Sequence, residues 1–180
     1  MPPVVSIIGR SKVGKTTLLE KLIRELKSRG YRVATIKHTV HPPTFDEPEK
    51  DSWRHIQAGS EATVVSAPNG LVFIKPSTSE ISLDEVARLF GEDYDIILTE
   101  GFKQGGAPKI EVHRKANGPP LASVRKLIAI ATDEPLETKV RQFSLEDVKG
   151  LADLLEEGFI KSQRERTVLY VISLNSILTL

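Results

Sequence analysis

The sequence contains no cysteine, which excludes disulfides, zinc thiolates and a thiol nucleophile. Near its N-terminus it lacks a basic segment followed by an apolar core and a small-residue cleavage site, so we expect no secretory signal. One apolar run, from Val168 to Leu180, is shorter than the roughly 20 apolar residues of a membrane-spanning helix, and Ser173 and Asn175 interrupt it. These absences predict a cytoplasmic protein with no membrane contact.

A strong excess of charge of either sign is also missing. The 25 Lys and Arg residues nearly balance the 24 Asp and Glu residues, and the formal net charge is +1. Because nucleic-acid-binding domains usually carry a strongly basic face, we predict no nucleic-acid partner. Internal repeats are absent too, and 180 residues suit one domain with a substantial core.

A glycine-rich stretch near the N-terminus has the spacing of a Walker A phosphate-binding loop. Its glycines allow several backbone N–H groups to turn toward one phosphate. Lys15 would reach the outer phosphates, and Thr16 would offer a hydroxyl to a magnesium ion. The candidate loop residues are Gly9, Arg10, Ser11, Lys12, Val13, Gly14, Lys15, Thr16 and Thr17.

The segments on either side of this loop have the order that phosphate binding requires. Val4–Ile8 is an apolar run typical of a buried strand, and the leucines after Thr17 recur on one helical face. Phosphates would then lie at a helix N-terminus, where unpaired N–H groups and the helix dipole favour anions. The alternative is that Gly9 and Gly14 merely make a strand-to-helix turn. It is disfavoured because four fixed positions and both flanking elements agree.

Buried strands alternate with amphipathic helices along the chain. This alternation predicts an α/β fold, a three-layer P-loop NTPase with a mostly parallel, twisted sheet. An antiparallel hairpin is expected in addition, because Asn69-Gly70 separates two apolar runs. Lys109–Arg114 alternates like a half-buried or edge strand. Further strands are predicted at Tyr31–Lys37, Asp95–Thr99 and Leu127–Ala131, with capping-box helix starts at Ser82 and Ser144.

We expect residues 1–160 to form the nucleotide-binding domain and residues 161–180 to form a C-terminal tail. Within the tail, Thr167–Ile172 has the pattern of a strand. An exposed apolar strand favours covering by a partner subunit.

Ligands of parallel α/β sheets bind beyond the carboxyl ends of the strands. Gly9, Lys37, Glu100 and Asp133 all follow or end predicted strands there. Glu100 is the candidate magnesium carboxylate and, with Lys15, a candidate catalytic residue, since a dication needs hard oxygen ligands.

Asp95 and Gly101, at the start and just past the end of the same predicted strand, bear on this prediction. Asp95 lies at the start of the same strand, which is the wrong end of the sheet for a metal ligand. Gly101 would let the backbone pass close to the terminal phosphate.

The loop after Lys37 is rich in polar side chains. Lys37 and His38 are candidate nucleotide contacts, and Asp46 and Asp51 are equivalent candidates for an outer-shell magnesium ligand. A substrate or switch loop and a solvated loop without chemistry both stay open. A zinc site on His38 and His41 is a weaker alternative, because no third ligand is evident.

Thr132 and Asp133 follow the last clear apolar strand. A carboxylate there can accept from the two N–H donors on the ring edge of guanine, which adenine does not present. The full Asn-Lys-x-Asp signature of guanine-binding proteins is absent, and Asp is common in turns such as Thr132–Pro135. Guanine contact and a plain turn therefore both stay open.

With these motifs in view, the chain resembles the molybdopterin-guanine dinucleotide biosynthesis adaptor proteins, the B-type GTP-binding proteins of molybdenum cofactor maturation. The resemblance spans roughly residues 4–157. One departure is Lys12, where members often carry a small residue such as glycine. Beyond the phosphate loop the resemblance rests on Lys37–His41 with Asp46 and Lys50–Ser52, on Glu100–Lys103 and on Ala131–Pro135.

The resemblance implies a homodimer that binds GTP and Mg²⁺, hydrolyses GTP slowly at most, and helps a partner guanylyltransferase attach GMP to molybdopterin. The implied partners are that molybdopterin guanylyltransferase and molybdopterin or its guanine dinucleotide. It also adds weight to guanine recognition at Thr132 and Asp133. The alternative of another class is a kinase or ATP-dependent ligase similar to dethiobiotin synthetase, in which Lys37 and the histidine loop would bind the acceptor. A third is a switch whose loops reorder with the γ-phosphate.

Overall fold

The computed structural model describes residues 1–39, 47–163 and 165. They divide into two units. One contains residues 1–38 and the described residues from Leu83 onward, and the other contains the described residues between Thr39 and Ser82.

The larger unit holds six strands and three α-helices. The strands are β1 (Val4–Gly9), β2 (Val33–Lys37), β5 (Ile96–Glu100), β6 (Lys109–His113), β7 (Leu127–Thr132) and β8 (Arg141–Ser144). The helices are α1 (Lys15–Ser28), α3 (Leu83–Arg88) and α4 (Val148–Leu155), with a 3-10 turn at Lys115–Asn117 and a π-helical turn at Glu156–Lys161. The smaller unit holds α2 (Asp51–Gln57), β3 (Thr63–Ala67) and β4 (Gly70–Ile74).

One sheet contains all six strands of the larger unit, in the order β2-β5-β1-β6-β7-β8. Every neighbouring pair runs parallel. Parallel strands of one sheet require crossover connections. Helix α1 supplies the one between β1 and β2, which lie on either side of β5. The predicted mostly parallel sheet is confirmed.

Apolar side chains cover both faces of this sheet, which gives the predicted three layers. Leu22 and Leu26 of α1 and Leu151 and Leu155 of α4 pack with Val5 and other strand residues on one face. On the other face, Leu83 and Ala87 of α3 pack with Ile97. Strand residues alternate between the faces because successive side chains of a strand point in opposite directions.

The prediction of a half-buried or edge strand at Lys109–Arg114 is wrong. Strand β6 lies between β1 and β7, and all of its residues are buried. Polar and apolar residues alternate along β6 although neither face meets water. The polar side chains are tolerated there because they have hydrogen-bond partners inside the protein. Buried Lys109 Nζ donates to the carbonyl oxygens of Gly105, Ala107 and Arg125.

Strand β8 was not predicted, and the start of the helix after it differs from the expectation. Ser144 ends β8 instead of capping the helix, and Asp147 caps α4 by accepting from Gly150 N at 3.0 Å. Phe143 is the one large apolar side chain of β8, so the segment carries almost no strand pattern.

In the smaller unit, β3 and β4 form the predicted antiparallel hairpin. Ala67 pairs with Gly70, so Pro68-Asn69 forms the connection. Several large apolar side chains of the hairpin are exposed: Val64, Val65, Leu71, Val72 and Phe73. The predicted positions His41 and Asp46 and the strand Thr167–Ile172 lie outside the described residues. Among residues 1–39, 47–163 and 165, no helix has the length and apolar character needed to cross a membrane.

Candidate functional site

The candidate site lies at the carboxyl edge of the parallel sheet. Strands β1, β2 and β5 end there at Gly9, Lys37 and Glu100, and β7 ends at Thr132, directly before Asp133. Since all the strands run the same way, these positions share one edge. Lys37 and Glu100 are direct partners in the register of β2 and β5.

Asp95 lies at the opposite edge, as predicted. Its Oδ2 accepts from Arg32 N at 2.7 Å, just before β2 begins. This carboxylate therefore fixes the start of two strands and stays away from the candidate site.

The glycines of the phosphate loop are required by its backbone. Gly9 has a φ of 149°, and a Cβ there would lie 2.4 Å from the carbonyl oxygen of Val112 in the adjacent strand. Gly14 has a φ of 96° and forms the N-cap of α1. The loop therefore turns sharply from β1 into α1 and brings the first N–H groups of the helix to the sheet edge.

Lys12 occupies a left-handed conformation within the same loop. Its φ is 62°, a region that favours glycine and strains residues with a Cβ. The position where the family resemblance departs is therefore a position where glycine suits the backbone better. The loop keeps its shape with lysine, at an energetic cost.

The Lys15 ammonium lies inside the loop and donates to the carbonyl oxygen of Arg10 at 2.7 Å. Burial lowers the pKa of Lys15 below its usual value; Glu100 opposes this shift, and the charges of Lys103 and Lys37 add to it. Lys37 and Lys103 thus place two further positive charges, beside the one carboxylate, close enough to act on Lys15. Such an arrangement favours binding of a polyanion.

Thr16 and Glu100 meet across the sheet edge. The Thr16 hydroxyl donates to Glu100 Oε2 at 2.9 Å. Both offer oxygen ligands, and Mg²⁺ at nucleotide sites typically takes one or two protein oxygens and completes its octahedron with water and phosphate. The two residues fit a magnesium ion of that kind. Among residues 1–39, 47–163 and 165, no cluster of three or more His, Asp or Glu side chains could hold a metal by itself.

His38 and Gly101 pack against each other beside Glu100. His38 N donates to the carbonyl oxygen of Glu100 at 2.9 Å, and the His38 ring lies 4.5 Å from the ring of Phe102. A Cβ at Gly101 would come within 3.0 Å of His38 Cβ, and its φ is 106°. The contact with His38 gives a structural reason for Gly101, in addition to the predicted approach to phosphate.

On the other side of the loop, Thr132 and Asp133 have partners within the protein. The Thr132 hydroxyl lies 3.0 Å from His113 Nδ1 and donates to the Glu134 carbonyl oxygen at 2.9 Å. Asp133 Oδ1 accepts from Lys115 N at 2.9 Å. The Thr132 side chain therefore shapes the turn, while Asp133 keeps its second oxygen beside Arg114, 3.6 Å from Nη1.

A pocket of about 400 Å³ opens beside Asp133. Its volume is in the range of small-molecule sites. Two carboxylates, two hydroxyl side chains and Phe143 line it, which suits a planar polar ligand. The lining residues are Thr132, Asp133, Glu134, Pro135, Gln142, Phe143 and Ser144.

The segment after β6 contacts the phosphate loop and was missed by sequence reasoning. Arg114 Nε donates to the carbonyl oxygen of Val13 at 3.0 Å, and Arg10 Nε donates to that of Pro119 at 2.9 Å. Asn117 Nδ2 lies 3.4 Å from the Ser11 carbonyl oxygen. No local motif marks these residues, because their partners lie about a hundred positions away in the chain.

Glu111, in β6, is a second residue whose environment the sequence pattern does not indicate. Its side chain is buried; Oε1 accepts from Leu121 N at 2.7 Å, while Oε2 has no hydrogen-bond partner among the described residues. Burial raises the pKa of Glu111 above its usual value, although the Leu121 N–H and the charges of His113 and Arg10 oppose the shift.

A phosphate-type loop that joins the first strand to the first helix of a three-layer parallel sheet defines the class of P-loop NTPase folds, and this chain has that fold. The profile of the family described as molybdopterin guanine dinucleotide synthesis protein B matches residues 4–133. The chain belongs to this family.

Individual relatives agree. The chain is 38% identical over 156 residues to the molybdopterin-guanine dinucleotide biosynthesis adapter protein of Haemophilus influenzae, covering 86% of this chain and 88% of the relative. It is 39% identical over 167 residues to the adapter protein of Escherichia coli K12, covering 89% and 95%. A crystal structure of molybdopterin-guanine biosynthesis protein B superimposes with a TM-score of 0.67 at 29% identity, covering 86% of this chain and 98% of that one.

The family implied by the sequence motifs is therefore confirmed. These similarities support the adapter reading and give no support to the kinase or ligase alternative. The roles of individual site residues stay predictions.

Proposed function

We propose that this chain binds GTP with Mg²⁺ at the carboxyl edge of its sheet and acts as an adapter in the biosynthesis of molybdopterin guanine dinucleotide. The observation that carries the proposal is the Thr16–Glu100 contact beside Lys15, at the end of a glycine loop on the edge of a parallel sheet. The names of the H. influenzae and E. coli relatives support the pathway.

The triphosphate would occupy the loop. Lys15 Nζ, which now donates to the Arg10 carbonyl, would turn to the β- and γ-phosphates, and the N–H groups at the start of α1 would bind phosphate oxygens. Lys37 adds positive charge from the end of β2. When bound, Mg²⁺ would neutralise phosphate charge, held by Thr16 and Glu100.

The base would occupy the pocket beside Asp133. One oxygen of Asp133 already accepts from Lys115 N, but a carboxylate offers about four lone-pair positions. The N1–H and N2–H groups of guanine would donate to the remaining positions, where adenine would present an acceptor at N1. This difference would select GTP over ATP.

Slow hydrolysis is expected at most. The contact between Glu100 and Thr16 supports a role for the Glu100 carboxylate at the metal, and in that role it would be poorly placed to activate a water. In the adapter role, the bound nucleotide would assist a guanylyltransferase that joins GMP to molybdopterin.

We also propose a homodimer, which sedimentation equilibrium of the purified chain tests directly.

The test is calorimetric titration of the purified chain with GTP and ATP, with and without Mg²⁺. We expect tighter binding of GTP, a gain with Mg²⁺, and loss of both in Lys15→Ala. Lys27→Ala is the matched control, because Lys27 is an exposed lysine in the last turn of the same helix. Equal affinities for GTP and ATP would remove the role of Asp133. Unchanged binding by Lys15→Ala would remove the role of the loop.

A further inference from the structure

Arg114 directly follows β6 and contacts both halves of the candidate site. Its Nε donates to the Val13 carbonyl oxygen at 3.0 Å, and its Nη1 lies 3.6 Å from Asp133 Oδ2. The guanidinium also lies 3.8 Å from the position that a Cβ on Gly14 would occupy. One side chain therefore touches the phosphate loop and the carboxylate beside the base pocket.

The residues after Arg114 strengthen this connection. Lys115 N donates to the other oxygen of Asp133, at 2.9 Å, so both oxygens of that carboxylate face the same segment. Asn117 reaches the carbonyl oxygen of Ser11 in the phosphate loop at 3.4 Å. A change in the position of Asp133 would thus move a segment that is bound to the loop at more than one point.

We propose that Arg114 is a positioning residue that couples recognition of the base at Asp133 to the geometry of the phosphate loop. This inference rests on the proposed binding of GTP and adds to it a mechanism of nucleotide selection. Base and triphosphate then bind cooperatively instead of independently.

The coupling follows from peptide geometry. The peptide between Val13 and Gly14 is planar and trans, so its C=O and N–H point in opposite directions. When Arg114 holds the Val13 oxygen, it also fixes the direction of the Gly14 N–H, one of the groups expected to meet phosphate. The rigid fork of a guanidinium carries this constraint to Asp133, which a flexible ammonium could not do as well.

A purely structural role makes a different prediction. If Arg114 only stabilises the fold, its removal weakens each part of the ligand separately, and the losses combine by simple multiplication. If it couples the two halves, the loss for the whole nucleotide exceeds the combined losses for the parts.

The experiment measures binding of GTP, ATP, inorganic triphosphate and guanosine to the full chain by calorimetry. For Arg114→Ala we expect the GTP affinity to fall by about 5- to 150-fold, the usual range of coupling between sites, with a smaller loss for ATP. Triphosphate alone and guanosine alone should each change by less than about 2-fold, so that their combined loss stays below the loss for GTP. Arg24→Ala, which removes an exposed arginine on α1 paired only with Glu20 among its described contacts, should change none of the four.

Two further variants separate coupling from folding effects. Arg114→Lys keeps a positive charge beside Asp133 but lacks the guanidinium fork, so we expect guanosine binding to be retained and the GTP loss to persist. In an Asp133→Asn background, Arg114→Ala should weaken GTP binding far less than in the wild type. Equal effects of Arg114→Ala in both backgrounds, or GTP losses that equal the product of the losses for the parts, would overturn the coupling. A wild-type chain without preference for GTP would instead overturn the proposed function.

Discussion

Lys12 is the residue of the phosphate loop whose backbone conformation is most strained for its residue type. It has a positive φ in a loop where the other positive values belong to Gly9 and Gly14. A side chain in this region costs about 1–2 kcal/mol, while glycine loses more entropy on folding.

We expect Lys12→Gly to raise the free energy of unfolding by up to about 1 kcal/mol, which corresponds to roughly 2–4 °C in Tm for a chain of this size. Thermal unfolding monitored by circular dichroism measures it. Lys12→Ala is the control, since it removes the same charge but keeps a Cβ. If the two variants gain equally, charge repulsion in the loop is the cause and backbone strain is not.

Individual site residues could be predicted from the sequence where they belong to one local motif. Gly9, Gly14, Lys15 and Thr16 form one local motif, so spacing alone located them. The contact between Thr16 and Glu100 joins residues far apart, yet it was anticipated because strand tips gather at one edge.

Arg114, Glu111 and Lys109 were missed for a physical reason. Their charges suggested exposure, but each is engaged by a backbone group on a distant or irregular segment. Such segments have no periodicity that identifies them beforehand.

Helices α1 and α4 are joined by an ion-pair network at their ends. Arg29, just after α1, donates to Glu25, to Asp153 and to Glu156 at distances of 2.7–2.9 Å. Hydrogen bonds from Arg29, Lys161 and Tyr31 lower the pKa of Glu156 from 4.5 to about 2. The folded state therefore favours the ionised carboxylate.

This network predicts a pH dependence of stability. Because the folded pKa of Glu156 lies below its unfolded value, its contribution is present above about pH 4.5 and is lost as the pH falls toward 2. We expect Glu156→Gln to lower the free energy of unfolding at pH 6 by roughly 1 kcal/mol, because solvent screens part of the interaction. The difference from wild type should shrink between pH 4.5 and 2.

Urea unfolding across this pH range measures the effect. Glu20→Gln is a suitable control, since Glu20 pairs with Arg24 in an exposed pair at 3.6 Å. Its curve should follow wild type at every pH. A constant offset for Glu156→Gln would mean that packing, and not ionisation, is responsible.

Among the elements, long apolar runs were the easiest to predict and short polar ones the hardest. Strands β1, β5 and β7 are largely buried and have nearly continuous apolar runs. The short strand β8 is held by pairing with β7, so its sequence carries little signal. The pattern of β6 predicts a strand but the wrong environment, because polar side chains with buried partners alternate in the same way as those of an exposed face.

For the whole molecule, ligand binding should raise thermal stability. A ligand at about 100 times its Kd stabilises the folded state by about 2.7 kcal/mol, which would raise Tm by roughly 5–10 °C for a chain of this length. We expect GTP with Mg²⁺ to give such a shift in the wild type and in Lys27→Ala, and no shift in Lys15→Ala. A shift of the same size in Lys15→Ala would place the nucleotide elsewhere on the protein.

The order of the strands has a consequence for how the protein is made. Strand β1 holds the phosphate loop, yet its partners are β5 and β6, which are synthesised some ninety to a hundred residues later. Contacts of such long range slow folding. During translation the loop therefore emerges from the ribosome first but gains its two supporting strands only after most of the chain has followed. A nascent or truncated polypeptide that ends before Ile96 would carry the complete motif without either of the strands that flank β1 in the folded protein.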